Sequence, residues 1–256
     1  MEASAGLAGI LAVDKPLGWT SFDVVAVARR SLGAKRVGHG GTLDPLATGV
    51  LPLLVGSATK FADRLHTASK VYAAIVTFGS ETTTDDREGT ATREAEPPAL
   101  SIDALDAALA PFRGVQAQVP PAFAAVKVDG RRAYSRARAG ETMELAARAV
   151  TVERLAIASW DAPALRLLVV CSTGTYIRSL ARDIGRAVGS AAHLGGLRRL
   201  AVGALTIDDA LDVETLRATP PAAVTLRDAD DRILPLAERF RTAPAAELLA
   251  TWGPSA

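Results

Sequence analysis

The chain has 256 residues, 49% of them apolar, enough to close a sizeable core as one large domain or one domain with an appendage. Its single cysteine, Cys171, excludes a disulfide framework and fits a reducing compartment. With a net charge of only +1, affinity for a polyanion has to come from local segregation of charge.

The N-terminus, MEASAGLAGILAVDKPLGW, carries an acid where a signal peptide has bases, and no apolar run is long enough to span a bilayer. A soluble cytoplasmic protein is the expectation. ILAVDKP (10–16) reads as a strand ended by proline. TSFDVVAVARRSLG reads as a helix, with Thr20 and Asp23 in capping-box spacing and Gly33 as its stop. A glycine loop follows, then the apolar strand VLPLLVG (50–56), the helix SATKFADRLHTASK and the alternating strand VYAAIVTFG (71–79). Residues 80–98 are polar and acidic, an exposed loop or hairpin. SIDALDAALAPF is helical with Ser101 as cap, and FAAVKVDGRRAYSRARAG gives a strand, a DG turn and a basic segment. Strands VTVERLAIASW and ALRLLVVCS precede the helix TYIRSLARDIGRAVG, for which Thr175 is the expected cap, and LTIDDALDVETLR supplies a last strand and helix. Several strands in succession predict an α+β fold with a mixed, largely antiparallel sheet. After Leu236 the pattern fades into a short tail, 237–256.

The bases are clustered. Residues 29–70 hold seven against two acids, 113–154 eight against four, and 178–199 five against one, a layout that favours a polyanion. His39, His66 and His193 are scattered and show no metal-ligand spacing, so no metal site is expected.

GHGGTLDPLATGVLPLLVG (38–56) sets one acid, Asp44, between glycines and Pro45. A dinucleotide fingerprint fails because Leu43 replaces the third glycine and a strand follows. A phosphate-binding P-loop fails for want of its Gly-Lys pair. Two readings stay open: a structural turn, or a carboxylate aimed by Pro45, with Gly40 and Gly41 admitting another molecule. Arg178, in the first turn of its helix, opposes the helix dipole. It either meets an anion or is a solvated arginine on the same face as Arg182. Tyr176 by itself reads equally as core.

KPLGWTS, GHGGTLDPLATGVLP, KVYAAIVTFG, VPPAFAAVKVDGRRAY, CSTGTYIRSLARDIG and HLGGLRRL, in that order from about residue 9 to 236, resemble the bacterial tRNA pseudouridine-55 synthase family of the TruB type. The resemblance implies a pseudouridine synthase fold over 1–236, a basic RNA-clamping segment near 124–150, and isomerisation of a T-loop uridine in tRNA by a monomer without cofactor or metal. It implies that Asp44 is the catalytic nucleophile, that Arg178 pairs with it, and that Tyr72 stacks on the target base. His39 matches the residue associated with flipping the uridine out, and Tyr176 and Leu197 match positions lining its pocket. Gly41, Thr42, Lys15, Lys127, Arg131 and Arg132 fall among the expected substrate contacts, Lys15 and Pro16 in a motif more structural than catalytic. A base inside a folded loop has to leave its stack, and aromatic faces replace the lost stacking.

The chain departs from the family pattern in three places. Thr83 stands where the family usually carries Asp, leaving Asp85 and Asp86 to that loop; Ala124 stands where serine is common; and the 237–256 tail is not a complete PUA-type RNA-binding domain. Two other classes compete: an RNA-binding or tRNA-folding protein, possible alongside the enzyme as a second role, and a glycoside hydrolase. The second would want two carboxylates flanking one bond, and the loop supplies one.

Overall fold

The computed structural model describes residues 7–124, 127–128, 131–132 and 145–252. They form two compact units, one from residues up to Tyr72 with Leu197–Thr242, the other from Ala73–Gly196 with Ala243–Trp252.

The first unit is built on β1 (Gly9–Lys15), β2 (Val37–His39), β3 (Ala47–Val55), and later β13 (Leu205–Thr206) and β14 (Leu211–Asp212). The order is β14-β1-β3-β12, where β12 is Ala192–Val202 and enters this unit from Leu197 on. β1 runs antiparallel to β3, while β14 pairs with β1 and β12 with β3 in parallel. All nine residues of β3 are buried, because both faces of the strand are covered. Leu51, Leu53 and Val55 join Leu11 and Val13 against α1 (Ser21–Ser31) and α5 (Val213–Ala218). Val50 and Leu54 join Ile10 and Ala12 against Phe61, Leu65, Leu205 and Ile233. The period of two sorts the apolar residues to opposite faces.

α1 forms as read: Thr20 caps it, with the reciprocal Asp23 bond completing the capping box. The helix expected from Ser57 is a 3₁₀ stretch (Gly56–Phe61) leading into the short α2 (Ala62–Thr67). The sequence reading had no counterpart to β12, whose paired glycines and paired arginines obscure the alternation.

In the second unit β4 (Lys70–Phe78, from Ala73 on), β11 (Ala164–Cys171), β10 (Arg148–Asp161) and β7 (Gly114–Gln118) are neighbours in that order. The acidic 80–98 stretch contains a hairpin, β5 (Ser80–Thr82) with β6 (Ala91–Glu94). α3 (Ile102–Leu109) buries Leu105 and Leu109 and is capped by Ser101, as expected. α4 (Ile177–Ala187) buries Ile177, Leu180, Ala181 and Ile184 along one face. Its N-cap is Tyr176, not Thr175, whose hydroxyl donates instead to Ser172 O. Of the basic segment, only a two-rung ladder of β8 (Lys127–Val128) and β9 (Arg131–Arg132) and the stretch from 145 are described. The rest of that expectation lies outside the described residues. The tail forms two short helices, α6 (Arg239–Thr242) and α7 (Ala245–Leu248).

Candidate active site

Residues 40–46 link β2 to β3, and every carbonyl from Gly41 to Pro45 has a donor. Arg199 Nη2 reaches Gly41 O at 3.0 Å and Nη1 reaches Thr42 O at 3.3 Å. Ser21 Oγ reaches Leu43 O at 3.2 Å and also accepts from Leu43 N at 2.9 Å. Ala47 N donates to Asp44 O at 3.0 Å, and Gly18 N to Pro45 O at 2.8 Å. A loop whose carbonyls are all occupied from Gly41 to Pro45 has little alternative pairing to relax into. The half-buried Asp44 side chain therefore leaves a fixed backbone.

Two buried cations lie beneath that backbone. Lys15, grouped from sequence with the substrate contacts, is fully buried; its ammonium donates to Trp19 O (2.6 Å), Pro16 O (2.9 Å) and Pro45 O (3.4 Å). Burial lowers its pKa to about 8, against the upward pull of the Asp44 charge. Arg199 is 2% exposed and also donates through Nε to Val50 O at 2.7 Å. The sequence reading missed it. The available signal was the Arg198-Arg199 pair: if that run is a strand, neighbouring side chains take opposite faces and one arginine has to point inward. Arg198 takes the other direction, to Asp14 (2.7 Å) and Thr48 (3.2 Å).

His39 ends β2, half-buried, with the Phe22 ring edge-on at 5.5 Å. Its Nδ1 is buried without a partner, and burial, then the charges of Arg199 and His66, lower its pKa. Gly40, expected to admit a second molecule, instead faces inward: a Cβ there would lie 2.3 Å from Leu65 Cδ2. Gly41 is half-buried and Thr42 exposed at the rim of the loop. Leu197, nearly buried, pairs with Ala47, three residues beyond Asp44. Tyr72, half-buried on β4, is the last residue of the first unit before the chain crosses.

The second unit holds Tyr176 and Arg178. Tyr176 is half-buried at the start of α4, its N–H donating to Gln118 Oε1 at 2.8 Å and its carbonyl accepting from Gln118 Nε2 at 3.1 Å. Arg178 is 7% exposed, which removes the solvated alternative. It donates to Thr84 O (3.1 Å) and Phe123 O (3.2 Å) and lies 3.7 Å from the Asp86 carboxylate. Asp85, buried with φ +58°, bonds Arg182 Nη1 at 2.7 Å. Burial raises the Asp85 pKa, with Arg182 and then Arg178 opposing. The two acids that replace the expected one thus meet the arginines of α4. For Lys127, Arg131 and Arg132 the backbone ladder alone is described, Lys127 opposite Arg132.

Among the described residues no His, Cys, Asp and Glu cluster could hold a metal ion. No helix among them is long and apolar enough to cross a membrane.

The chain matches a Cbf5–Nop10–Gar1 complex structure with a TM-score of 0.64 at 29% identity, covering 80% of this chain and 52% of the other. An H/ACA RNP bound to a substrate RNA containing 2'-deoxyuridine matches with a TM-score of 0.60 at 26% identity, over 80% and 51%. The chain spans about half the length of those chains. In sequence it is 49% identical over 214 residues to tRNA pseudouridine synthase B of Ralstonia nicotianae, covering 82% of this chain and 68% of the relative. It is 48% identical over 218 residues to the Thermobifida fusca protein of the same name, covering 82% and 74%. Residues 29–177 match the model for the TruB family pseudouridylate synthase N-terminal domain, and residues 178–239 that for the tRNA pseudouridylate synthase B C-terminal domain. The chain belongs to the TruB family of pseudouridylate synthases.

Proposed function

We propose that this enzyme isomerises uridine to pseudouridine at position 55 in the T loop of tRNA, as a cytoplasmic monomer, with residues 1–236 as its catalytic domain. Its family membership supports the reaction class, and the loop around Asp44, with every carbonyl from Gly41 to Pro45 held by a donor, is the observation that supports Asp44 as its centre.

The reaction cleaves the bond from uracil N1 to ribose C1′ and makes one from C5 to C1′; C5 loses its proton and N1 takes one up, so nothing is oxidised or reduced. Asp44 supplies the carboxylate that starts the cleavage, as an activated nucleophile held in place. Arg178 pairs with that carboxylate, since an opposite charge close by keeps a carboxylate ionised. The uridine leaves its stack to be reached. Tyr72 stacks on it, Tyr176 and Leu197 line its pocket, and His39, with its unpartnered Nδ1, takes part in extruding it. Gly41 and Thr42 form the rim against the substrate. The β8–β9 ladder with Lys127, Arg131 and Arg132 faces phosphates.

Unmodified tRNA carrying tritium at uracil C5 tests the reading. Wild-type protein releases the label, and Asp44→Asn lowers release at least 1,000-fold, on the order seen when a covalent-catalysis group is removed, while tRNA affinity is retained. No release by wild-type protein refutes the reaction; near-normal release by the variant refutes Asp44.

A further inference from the structure

Arg199 has no place in the roles assigned above, yet it is among the largest fully enclosed side chains of the protein. Taking a guanidinium out of water costs several kcal/mol unless its hydrogens are used. Here all three nitrogens donate to backbone carbonyls: Nε to Val50, Nη1 to Thr42, Nη2 to Gly41. Two of those acceptors lie immediately before Leu43 and Asp44, and the third is inside β3, so one planar group ties the loop to the strand that follows it.

The backbone of Arg199 is itself located by a close approach. In the parallel β3–β12 pairing Arg199 stands opposite Gly49, which has φ +101°. A Cβ at Gly49 would lie 2.2 Å from Arg199 O and 2.8 Å from its N. Only glycine lets the two strands come that near. The sequence therefore fixes the anchor first and the loop from it.

We propose that Arg199 is the positioning residue of the Asp44 loop: its fork of hydrogen bonds to Gly41, Thr42 and Val50 holds the carboxylate in its reacting position. It acts through the backbone and not on the substrate. A lysine presents a compact ammonium in place of a planar fork and does not span these three acceptors. The consequence for turnover rests on the assignment of Asp44 above; the consequence for loop order does not.

The test compares Arg199→Lys and Arg199→Met with wild type in three measurements. Thermal melting and tRNA affinity report the whole molecule, single-turnover tritium release reports the chemical step, and amide hydrogen exchange reports Leu43 and Ala47. The expected result is cooperative melting, affinity within threefold of wild type, release about 100-fold slower, as for a reacting group displaced by roughly 1 Å, and exchange at least tenfold faster at those two amides. Release within threefold of wild type overturns the proposal. Variants that fail to fold, or that lose tRNA binding in step with turnover, overturn it too, because Arg199 would then serve general stability. If wild-type protein releases no tritium the reaction assignment falls, and the exchange at Leu43 and Ala47 still decides whether Arg199 orders the loop.

Discussion

Glu81 keeps its charge inside the second unit because two arginines reach it from different elements. Arg186 of α4 grips it with Nε at 2.9 Å and Nη2 at 2.6 Å, and Arg93 of β6 adds bonds at 3.0 and 2.5 Å. Those bonds, chiefly the pair from Arg186, outweigh burial and lower its pKa to about 2. A carboxyl group whose folded pKa lies below its unfolded one binds fewer protons in the fold, so its contribution is complete above about pH 4.5 and is lost as pH falls toward 2. Both arginines are about half exposed, so solvent screening reduces the effect to about 2 kcal/mol. Urea unfolding of wild type and Glu81→Gln at pH 7 and pH 3 measures it: the stability difference between the two proteins should shrink by about 1 kcal/mol at pH 3, which lies between the folded and unfolded pKa values. Glu81 was legible in the sequence only as one acid in an acidic stretch, since its partners lie 12 and 105 positions away.

At the scale of elements, α1 shows what local sequence specifies well. Thr20, Asp23 and the Val24, Val25, Val27 and Ala28 stripe define its start and its inner face without help from distant residues. The helix also carries Ser21, whose hydroxyl holds both polar groups of Leu43. Thr20→Ala should destabilise the protein by about 1 kcal/mol in chemical denaturation, with α1 amides exchanging faster at their N-terminal end. β12 is the opposite case. Gly195, Gly196, Arg198 and Arg199 match no strand pattern, because close backbone approach and a buried guanidinium are properties of the strands it pairs with. Loop chemistry alone left Asp44 open between a structural turn and a site, and the family resemblance singled it out; the bond that Arg199 makes to Gly41 spans 158 positions and became visible only with the pairing. The expected cap at Thr175 failed for a related reason: Gln118, from β7, holds the backbone of Tyr176 where a local hydroxyl was expected.

At the scale of the whole chain, the last described stretch belongs to the second unit. Residues 243–252 bury Ala245, Leu249 and Trp252. Arg154 of β10 donates to Ala243 O at 2.7 Å, and Arg166 of β11 bonds Trp252 O with its guanidinium 5.3 Å from the indole centroid. The composition of AERFRTAPAAELLATW gives no regular period, so its packing was not legible; only the sheet it covers supplies the apolar partner. Trp252→Ala should cost about 3 kcal/mol, read as a lower midpoint in thermal unfolding.

The chain passes between the units at 72/73, 196/197 and 242/243, so the first unit is assembled from stretches far apart in synthesis. On the ribosome β1 and β3 emerge early, but β12 and β14, which flank them, follow more than 130 residues later. The run from Ala73 to Gly196 is contiguous and can begin to fold as soon as it is released. The Asp44 loop receives its arginine only after the 158 positions that separate Gly41 from Arg199 have been made. Ordering of that loop is therefore a late event in the life of a nascent chain, and premature termination before residue 199 yields a product without its anchor.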